Sequence, residues 1–320
     1  MTTRRALASA LVLIAFALAG AWRVASTALR QPAAARPADE SRPAAAGVAP
    51  PSNSAQSTPP RRIVCLVPAA TEMLFAMGAG GQLAGVSSYD AYPPEVIRLP
   101  RLGGLLDPDV ERILSLKPDL AIIYATQIEL AGQLDRSGVP SFLYGHGDLE
   151  DVIRTMRSLG LRVGAAANAD AAADRMQSRL SMIRTRVAGR KRPRTLLVIE
   201  RERGSLRGVL ASGGYGFLHD LLEAAGGQDV AADITRESID VSTEMLLARA
   251  PEAIIELHYR DDLTPEQIEA ERRVWDRLPT MPAVKNHRVY LLAGDEFVVP
   301  GPRVIDAAQR LSRALHPDAW

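Results

Sequence analysis

The sequence contains one cysteine, few aromatic residues and almost no net charge. Cys65 has no second cysteine to pair with, which excludes an intrachain disulfide framework, and its apolar surroundings (63–67) predict a buried thiol. Lys and Arg number 38 against 37 Asp and Glu, so the net charge of +1 gives no electrostatic reason to expect nucleic acid as a partner. The five histidines lack the close spacing of a metal site, and we expect no protein-bound metal.

The N-terminal region has the pattern of an export signal. Two arginines, Arg4 and Arg5, precede an apolar run that extends to Trp22. Residues 1–28 are therefore predicted to be a signal peptide or, if uncleaved, an N-terminal anchor, and both place the rest of the chain in the periplasm or elsewhere outside the cytoplasm. Residues 29–60 are rich in Pro, Ala and Ser without an apolar period, which predicts a disordered linker.

One stretch of the sequence occurs twice. Residues 107–123 and 240–256 are both predicted to contain an Asp helix cap, a short amphipathic helix, a proline, an acid and an apolar strand. The offset between the copies is constant, since 240 − 107 and 251 − 118 both give 133. A second pair, LFAMGAGGQ and LLEAAGGQ, is typical of helices that end in left-handed glycines. Two such copies predict two similar lobes.

Apolar strands alternate with helices along both copies, which predicts an α/β fold with parallel-type sheets. We assign residues 61–164 to an N-terminal lobe and residues 193–320 to a C-terminal lobe. A long helix with a narrow apolar stripe is predicted within 165–192 and would connect them. The predicted strands are 63–67, 83–87, 121–124 and 141–144 in the first lobe, and 195–199, 253–257 and 289–292 in the second.

Several segments resemble one known family, the substrate-binding proteins of ABC importers for vitamin B12, haem and iron-siderophores (the helical-backbone metal receptors). The resemblance is carried by RRIVCLVPAATEMLFAMG, AGVSSYDAYPPE, LGGLLDPDVERILSLKPDLAI, ASGGYGFLHDLLEAAGG, VSTEMLLARAPEAII and VKNHRVYLLAGDEFVVPGPRV. It implies two Rossmann-like lobes joined by one long helix, as in class III periplasmic binding proteins. It also implies a monomer that carries a small-molecule metal chelate in the cleft between its lobes and delivers it to a permease dimer.

Ligands of open α/β sheets bind beyond the carboxyl ends of the strands. The turns after the predicted strands therefore supply the candidate ligand-binding residues, in which tyrosine offers a flat apolar face and a hydroxyl. Packing between the lobes is the alternative role for each tyrosine, and hydrogen bonding rather than metal ligation is the ordinary role of His258. The candidates are Pro68, Ala69, Ala70, Ser88, Tyr89, Leu105, Tyr124, Gly213, Gly214, Tyr215, His258, Tyr259, Glu296 and Phe297.

The ligand itself stays open between cobalamin, haem and a ferric siderophore. The segment YDAYPPE favours the vitamin B12 branch of the family. Members of that branch often present tryptophans to the corrin, whereas the matching loops here carry Leu105 and Ser238, and Trp275 lies on a predicted helix. Arg201, Arg203 and Arg207 are the candidates for binding an acidic siderophore, or they belong to a solvated loop.

Two glutamates occupy the same place in the two copies of the repeat, since 244 − 111 is 133. The resemblance implies that Glu111 and Glu244 dock on arginines of the permease dimer, and the alternative is that each complements its helix dipole. No catalytic motif accompanies them: Gly213, Gly214 and Gly216 lack a phosphate-loop lysine and the dinucleotide spacing. We expect a binding protein rather than an enzyme, with a membrane-anchored sensor without a transport role as the alternative.

Overall fold

The computed structural model describes residues 58–259 and 263–320. The predicted signal segment (1–28) and most of the predicted linker (29–60) lie outside the described residues. Among the described helices, none combines the length and the apolar composition needed to cross a membrane.

The first lobe is built on a four-stranded parallel sheet with the strand order β2-β1-β3-β4. Because all four strands run in the same direction, their carboxyl ends meet at one edge. The strands are β1 (Ile63–Cys65), β2 (Leu83–Val86), β3 (Leu120–Tyr124) and β4 (Ser141–Tyr144), and the helices are α1 (Pro68–Ala76), α2 (Val110–Ser115), α3 (Ile128–Arg136) and α4 (Leu149–Val163).

A long helix, α5 (Ala166–Val187), follows α4 and leads to the second lobe. Its buried stripe includes Met176, Leu180 and Ile183, as the narrow apolar pattern of the sequence predicts. These side chains belong to one apolar core that contains residues of both sheets. The two lobes are therefore continuous through the interior, and the buried stripe of the connecting helix is part of that interior.

The second lobe contains a six-stranded sheet in which β10, β9 and β5 are parallel while β6 is antiparallel to both of its neighbours. The short strands β6, β7 and β8 were not predicted, so this sheet is mixed rather than wholly parallel. The strands are β5 (Arg194–Glu200), β6 (Val209–Ser212), β7 (Gln228–Asp229), β8 (Ser238–Val241), β9 (Ala253–His258) and β10 (Val289–Ala293), and the helices are α6 (Phe217–Ala224), α7 (Thr243–Arg249), α8 (Pro265–Arg273), α9 (Pro282–Lys285) and α10 (Val304–Leu315).

The internal repeat is reproduced in the backbone. Lys117 and Ala250, which are 133 residues apart (250 − 117), both have left-handed φ angles, of 47° and 44°, directly before a proline. The glycines that follow α1 and α6 also confirm the sequence prediction, because Gly78 and Gly226 have φ angles of 79° and 85°. The two lobes thus share helix ends as well as sequence pattern.

The acid that follows the proline in each copy fastens the start of the first strand of its lobe. Asp119 accepts hydrogen bonds from the backbone N–H groups of Arg61 (2.7 Å) and Arg62 (2.9 Å). Glu252 accepts one from the N–H of Arg194 (3.1 Å). The pairs are related by the offset of the repeat, since 252 − 119 and 194 − 61 are both 133. This shared contact gives a physical reason for the acid in both copies.

The predicted Asp helix cap is present in the first copy of the repeat but not in the second. Asp109 caps α2 by accepting from the backbone N–H of Arg112, and Ser242 caps α7 by accepting from that of Met245. Asp240 lies instead in strand β8. The prediction was wrong for the second copy because Ser242, two positions after Asp240, is the residue next to the first turn.

An ion pair between a buried glutamate and a partly buried arginine joins the two lobes. Arg303, directly before α10, donates to both carboxylate oxygens of Glu72 on α1, with Nε–Oε2 at 3.0 Å, and its Nη1 lies 2.6 Å from Asp295 Oδ1. Beside this pair, the Tyr144 hydroxyl donates to the carbonyl of Pro300 at 3.4 Å. Burial raises the pKa of Glu72, and the hydrogen bonds from Arg303 oppose that rise.

Three aromatic rings pack together where β3 and β4 end. Tyr124 stacks on His146 with 5.5 Å between ring centroids, and Tyr144 meets both rings edge-on at 5.9 and 5.7 Å. Burial lowers the pKa of His146 to about 4, and burial is also the main cause that raises the pKa of both tyrosines. The cluster is therefore uncharged at neutral pH.

We predict that Arg303→Met lowers the free energy of unfolding at pH 9 by about 3 kcal/mol, because it leaves the buried Glu72 carboxylate without its cation. The pKa of Glu72 is raised to about 7 even with Arg303 in place, and the variant should raise it further, so the stability lost relative to the wild type should grow as the pH rises through about 7. Urea unfolding at pH 6 and pH 9 measures both effects. The surface variant Arg154→Met is the control, and an equal, pH-independent loss in both variants would contradict the prediction.

The histidine in the ring cluster predicts a second pH dependence. Between pH 6.5 and pH 4 the unfolded chain takes up a proton on His146 that the folded protein resists, so this site should cost up to about 3 kcal/mol of stability as the pH falls through the window. His146→Phe should remove that part of the dependence, as measured by urea unfolding across the window. His287→Asn, at an exposed histidine, should leave the dependence unchanged. A wild-type slope that persists in His146→Phe would refute the assignment.

Candidate functional site

A cleft of about 620 Å³, including space open to solvent, lies where the carboxyl ends of the two sheets face each other. The first lobe contributes residues that follow β1, β2, β3 and β4, and the second contributes the residue after β9 and a loop before α10. The lining residues are Leu66, Pro68, Ala69, Ser87, Tyr89, Leu105, Tyr124, Tyr144, His146, Tyr259, Val298, Val299 and Pro300.

One wall of the cleft is aromatic. The stacked cluster of Tyr124, Tyr144 and His146 lies on the first lobe, and Tyr89 and Tyr259 add two further rings. Because burial raises the pKa of Tyr89, as it does those of Tyr124 and Tyr144, the phenols are neutral at physiological pH and can donate as well as accept hydrogen bonds. Such a wall suits a ligand with a flat apolar face and polar edges.

Two hydrogen bonds of the Ser87 hydroxyl fix the loop that carries Tyr89. The Tyr89 N–H donates to Ser87 Oγ (3.2 Å), and the Ser87 hydroxyl donates to the carbonyl of Gly103 (3.1 Å). The ring lies directly over Gly104, where an added Cβ would come within 2.2 Å of it. Only glycine leaves room for the ring at this place, so the loop sequence sets the position of the tyrosine.

The backbone of Gly104 and Leu105, next to this loop, is held by the buried side chain of Gln127. Gln127 Nε2 donates to the carbonyls of Gly104 (3.2 Å) and Leu105 (3.0 Å), while its Oε1 accepts from the N–H of Tyr124 (3.0 Å). The amide thereby ties the end of β3 to the loop that carries Leu105. Two lining residues from different parts of the chain are thus held in fixed relation.

Six of the predicted ligand-binding residues line the cleft together, which brings the turns after β1, β2, β3 and β9 into one site. They share a position at or soon after the carboxyl end of a strand, or in the loop that leads to α2. These residues are Pro68, Ala69, Tyr89, Leu105, Tyr124 and Tyr259.

The other candidates lie outside this lining. Ala70 and Phe297 are fully buried in the core, and Ser88 is exposed beside Tyr89. His258 Nε2 lies 3.2 Å from Glu256 Oε1, and Glu296 pairs with Arg310.

The glycine-rich turn before α6 lies near the cleft without lining it. A Cβ on Gly213 would meet the carbonyl of Arg236 at 2.3 Å, which explains the need for glycine in packing terms alone. Gly214 has a similar close approach, to Ala232. Tyr215 lines a separate, smaller pocket of about 220 Å³ that includes His146.

Seven lining residues were missed by the sequence reasoning. The rule that found the candidates applies equally to the end of β4, where Tyr144 and His146 lie, and to the end of β2, where Ser87 lies. The sequence of the loop before α10 has no periodic pattern that would indicate that it faces the first lobe. The missed residues are Leu66, Ser87, Tyr144, His146, Val298, Val299 and Pro300.

The best cationic candidate for an acidic ligand is engaged inside the second lobe. The Arg201 side chain is 1% exposed, with Nε 3.0 Å from Glu256 Oε2 and Nη1 2.9 Å from Glu271 Oε2. Trp275 is fully buried and donates its indole N–H to the same Glu256 oxygen at 2.8 Å. Arg207 pairs with Glu202 at the surface.

Protein-borne metal ligands are not grouped in the part of the chain that the structure describes: no three or more His, Cys, Asp or Glu side chains lie together in a way that could hold an ion.

Comparisons with known proteins agree with this geometry. A family model described as periplasmic binding protein matches residues 63–296. The vitamin B12-binding protein of Salmonella typhimurium is 30% identical over 256 residues, which cover 79% of this chain and 90% of that protein.

Two solved structures extend the comparison to the fold. The periplasmic vitamin B12 binding protein BtuF of Vibrio cholerae superposes with a TM-score of 0.69 and 25% identity, over 82% of this chain and 98% of that one. The periplasmic haem-binding protein RhuT from Roseiflexus sp. RS-1 gives a TM-score of 0.68 and 26% identity, over 81% and 99%. Because the family model matches more than half of the chain, the chain belongs to the periplasmic binding protein family.

Proposed function

We propose that this protein is an extracytoplasmic solute-binding protein that captures a metal chelate between its lobes and delivers it to an ABC importer. Cobalamin is the favoured ligand, with haem or a ferric siderophore as the alternatives. The observation that carries the proposal is the tyrosine-rich cleft at the facing carboxyl ends of the two sheets. Its family relatives are named as binding proteins, which supports a binding role rather than a catalytic one.

The shape and chemistry of the cleft support a macrocyclic or similarly broad ligand. The rings of Tyr89, Tyr124 and Tyr259 offer flat apolar surfaces, and their hydroxyl groups can bond polar edge groups of the ligand. Val298 and Val299 add aliphatic surface from the second lobe to the same lining. A chelate larger than the cleft would be held by one side, with the remainder in solvent.

The preference for cobalamin rests on relatives, and one feature of the chain weighs against it. Vitamin B12-binding proteins match at 29–30% identity over about four fifths of the chain, and haem-binding proteins have the same fold. Trp275 is buried and bonded to Glu256, so it is withdrawn from the cleft. Tyrosines would therefore take the place of the tryptophans expected against a corrin, and haem and siderophores stay as alternatives.

Docking on the permease is assigned to Glu111 and Glu244. Both are exposed and lie in the first turns of α2 and α7, at equivalent positions of the repeat. Two carboxylates related by the pseudo-symmetry of the lobes can engage two symmetric cationic sites and fix the orientation of the complex. A favourable interaction with the helix dipole can coexist with this role.

Export by residues 1–28, as a cleaved signal or an anchor, would place the lobes where a solute-binding protein acts, and residues 29–60 would serve as the spacer.

For ligand capture, we predict that the full chain binds cobalamin, haemin or a ferric siderophore with one-to-one stoichiometry in calorimetric titration. Tyr89→Ala should weaken that binding about 10-fold, since it removes a ring and a hydroxyl from the wall. Ile97→Ala, at an exposed position of the same loop, is the control and should bind as the wild type does. Unchanged affinity in Tyr89→Ala would remove this tyrosine from the site.

For docking, the double variant Glu111→Ala with Glu244→Ala should bind its ligand normally but support much slower uptake, because the contact with the permease loses both carboxylates. Uptake of labelled ligand by cells that carry the cognate importer measures this. The control pair Glu129→Ala with Glu266→Ala removes exposed first-turn glutamates of α3 and α8 instead. Equal uptake with both pairs would sink the docking assignment.

A further inference from the structure

The charge of the ligand can be inferred from the cleft. Among the residues that the structure describes in its lining, none is Asp, Glu, Lys or Arg. The polar lining groups are phenols, the Ser87 hydroxyl and the imidazole of His146. Burial lowers the pKa of His146 to about 4, so that this imidazole supplies no positive charge at neutral pH. The surface that meets the ligand is thus polar in places but uncharged.

Arginines close to the cleft are already paired with other groups of the protein. Arg303 is held by Glu72 and Asp295, as described above. Arg101 donates through Nη1 to the carbonyls of Ser87 (2.9 Å) and Asp90 (2.8 Å). Arg101 fixes the loop and Arg303 joins the lobes. Turning either guanidinium group toward a ligand would break these contacts.

In the second lobe the pattern is the same. Arg310 donates to the carbonyl of Ala293 at 2.7 Å and pairs with Glu296. Arg201 is enclosed between two glutamates, Glu256 and Glu271. The carboxylates of Glu296, Glu256 and Glu271 therefore balance Arg310 and Arg201, and neither of these guanidinium groups is left to neutralise a ligand.

Carboxyl groups, by contrast, lie near the aromatic wall. Burial and then the charge of Asp107 raise the pKa of Tyr89. Asp90, which is 5% exposed, contributes in the same direction to Tyr124 after burial and Tyr144, although burial raises its own pKa to about 7 and leaves it only partly charged at neutral pH. An anionic group placed against these phenols would lose hydration and would meet no cation in the lining.

We propose, on the basis of the chelate-binding role proposed above, that the cleft selects electroneutral metal chelates over anionic ones. Corrinoids with amide side chains and ferric hydroxamates belong to the first class. Ferric catecholates and chelates that must insert carboxylates belong to the second. Phenol hydroxyls can donate to amide or hydroxamate oxygens of a neutral chelate without any charge being left unpaired.

The test compares chemically matched ligands on the full chain by calorimetry. One pair is cyanocobalamin and the tricarboxylic acid made by hydrolysing its propionamides. The other is a neutral ferric tris-hydroxamate and an anionic ferric tris-catecholate. In each pair that binds, the neutral member should bind at least about 10-fold more tightly, because the anion enters the cleft without a counter-charge.

A positive charge added to the cleft should reduce its preference for neutral ligands, and the same charge added just outside the cleft is the control. Leu105→Arg places a guanidinium at a half-buried lining position and should reduce the preference for the neutral ligand about 10-fold. Leu106→Arg adds the same charge at the neighbouring exposed residue, outside the lining, and should leave the preference unchanged. Circular dichroism of both variants verifies folding, and the comparison of ligands on the wild type needs neither variant.

The outcomes separate the two proposals. Equal or tighter binding of the anionic members by the wild type would overturn the charge selection and leave the chelate-binding role standing. Equal effects of the two arginine variants would also overturn it, because the selection would then not arise in the lining. Failure of every probe to bind would contradict the chelate-binding role itself.

Discussion

The ion pair between Arg303 and Glu72 sets the geometry on which the cleft depends. It joins the start of α10 in the second lobe to α1 in the first, and Asp295 holds the same guanidinium from its other side. Gly301 lies against this pair, where an added Cβ would come within 2.9 Å of the Glu72 carboxylate. The segment between Phe297 and Gly301 is thereby brought against the first lobe, which places Val298, Val299 and Pro300 in one lining with the tyrosines.

The duplicated sequence accounts for the rest of the frame. In each lobe a capped helix ends at a left-handed residue, a proline follows, and an acid binds the backbone at the start of the central part of the sheet. Because both copies orient a parallel set of strands in the same way, two edges rich in strand ends become available for a ligand. α5 and the shared core then hold these edges toward each other.

The elements that could be predicted from the sequence are those with long or repeated signals. The apolar runs gave β1, β2, β3, β4, β5, β9 and β10, and the narrow stripe of Met176 and Leu180 gave the connecting helix. Strands β6, β7 and β8 were missed because their short segments contain polar residues and are defined by pairing with other parts of the chain. The prediction of a parallel-type sheet therefore described the second lobe only in part, because that sheet is mixed.

At the site, position at a strand end was a sufficient guide for Tyr89, Tyr124 and Tyr259, since the main chain itself delivers these residues to the edge. It could not place Val298 to Pro300, whose position depends on a contact between distant parts of the chain, 231 residues apart in the case of Arg303 and Glu72. Nor could it show that Arg201 is enclosed by Glu256 and Glu271, because such pairing is decided by packing. For that reason, the charge of the ligand could be inferred only from the structure.

The most direct test of the account is a crystal structure of the protein with the chelate that binds most tightly, in which anomalous scattering locates the metal. The account predicts a metal between the two lobes, with the chelate in contact with Tyr89 and Tyr124 of the first lobe and with Tyr259, Val298 and Val299 of the second. A metal bound elsewhere, for instance beside Tyr215 in the smaller pocket or on the outer face of one lobe, would contradict it.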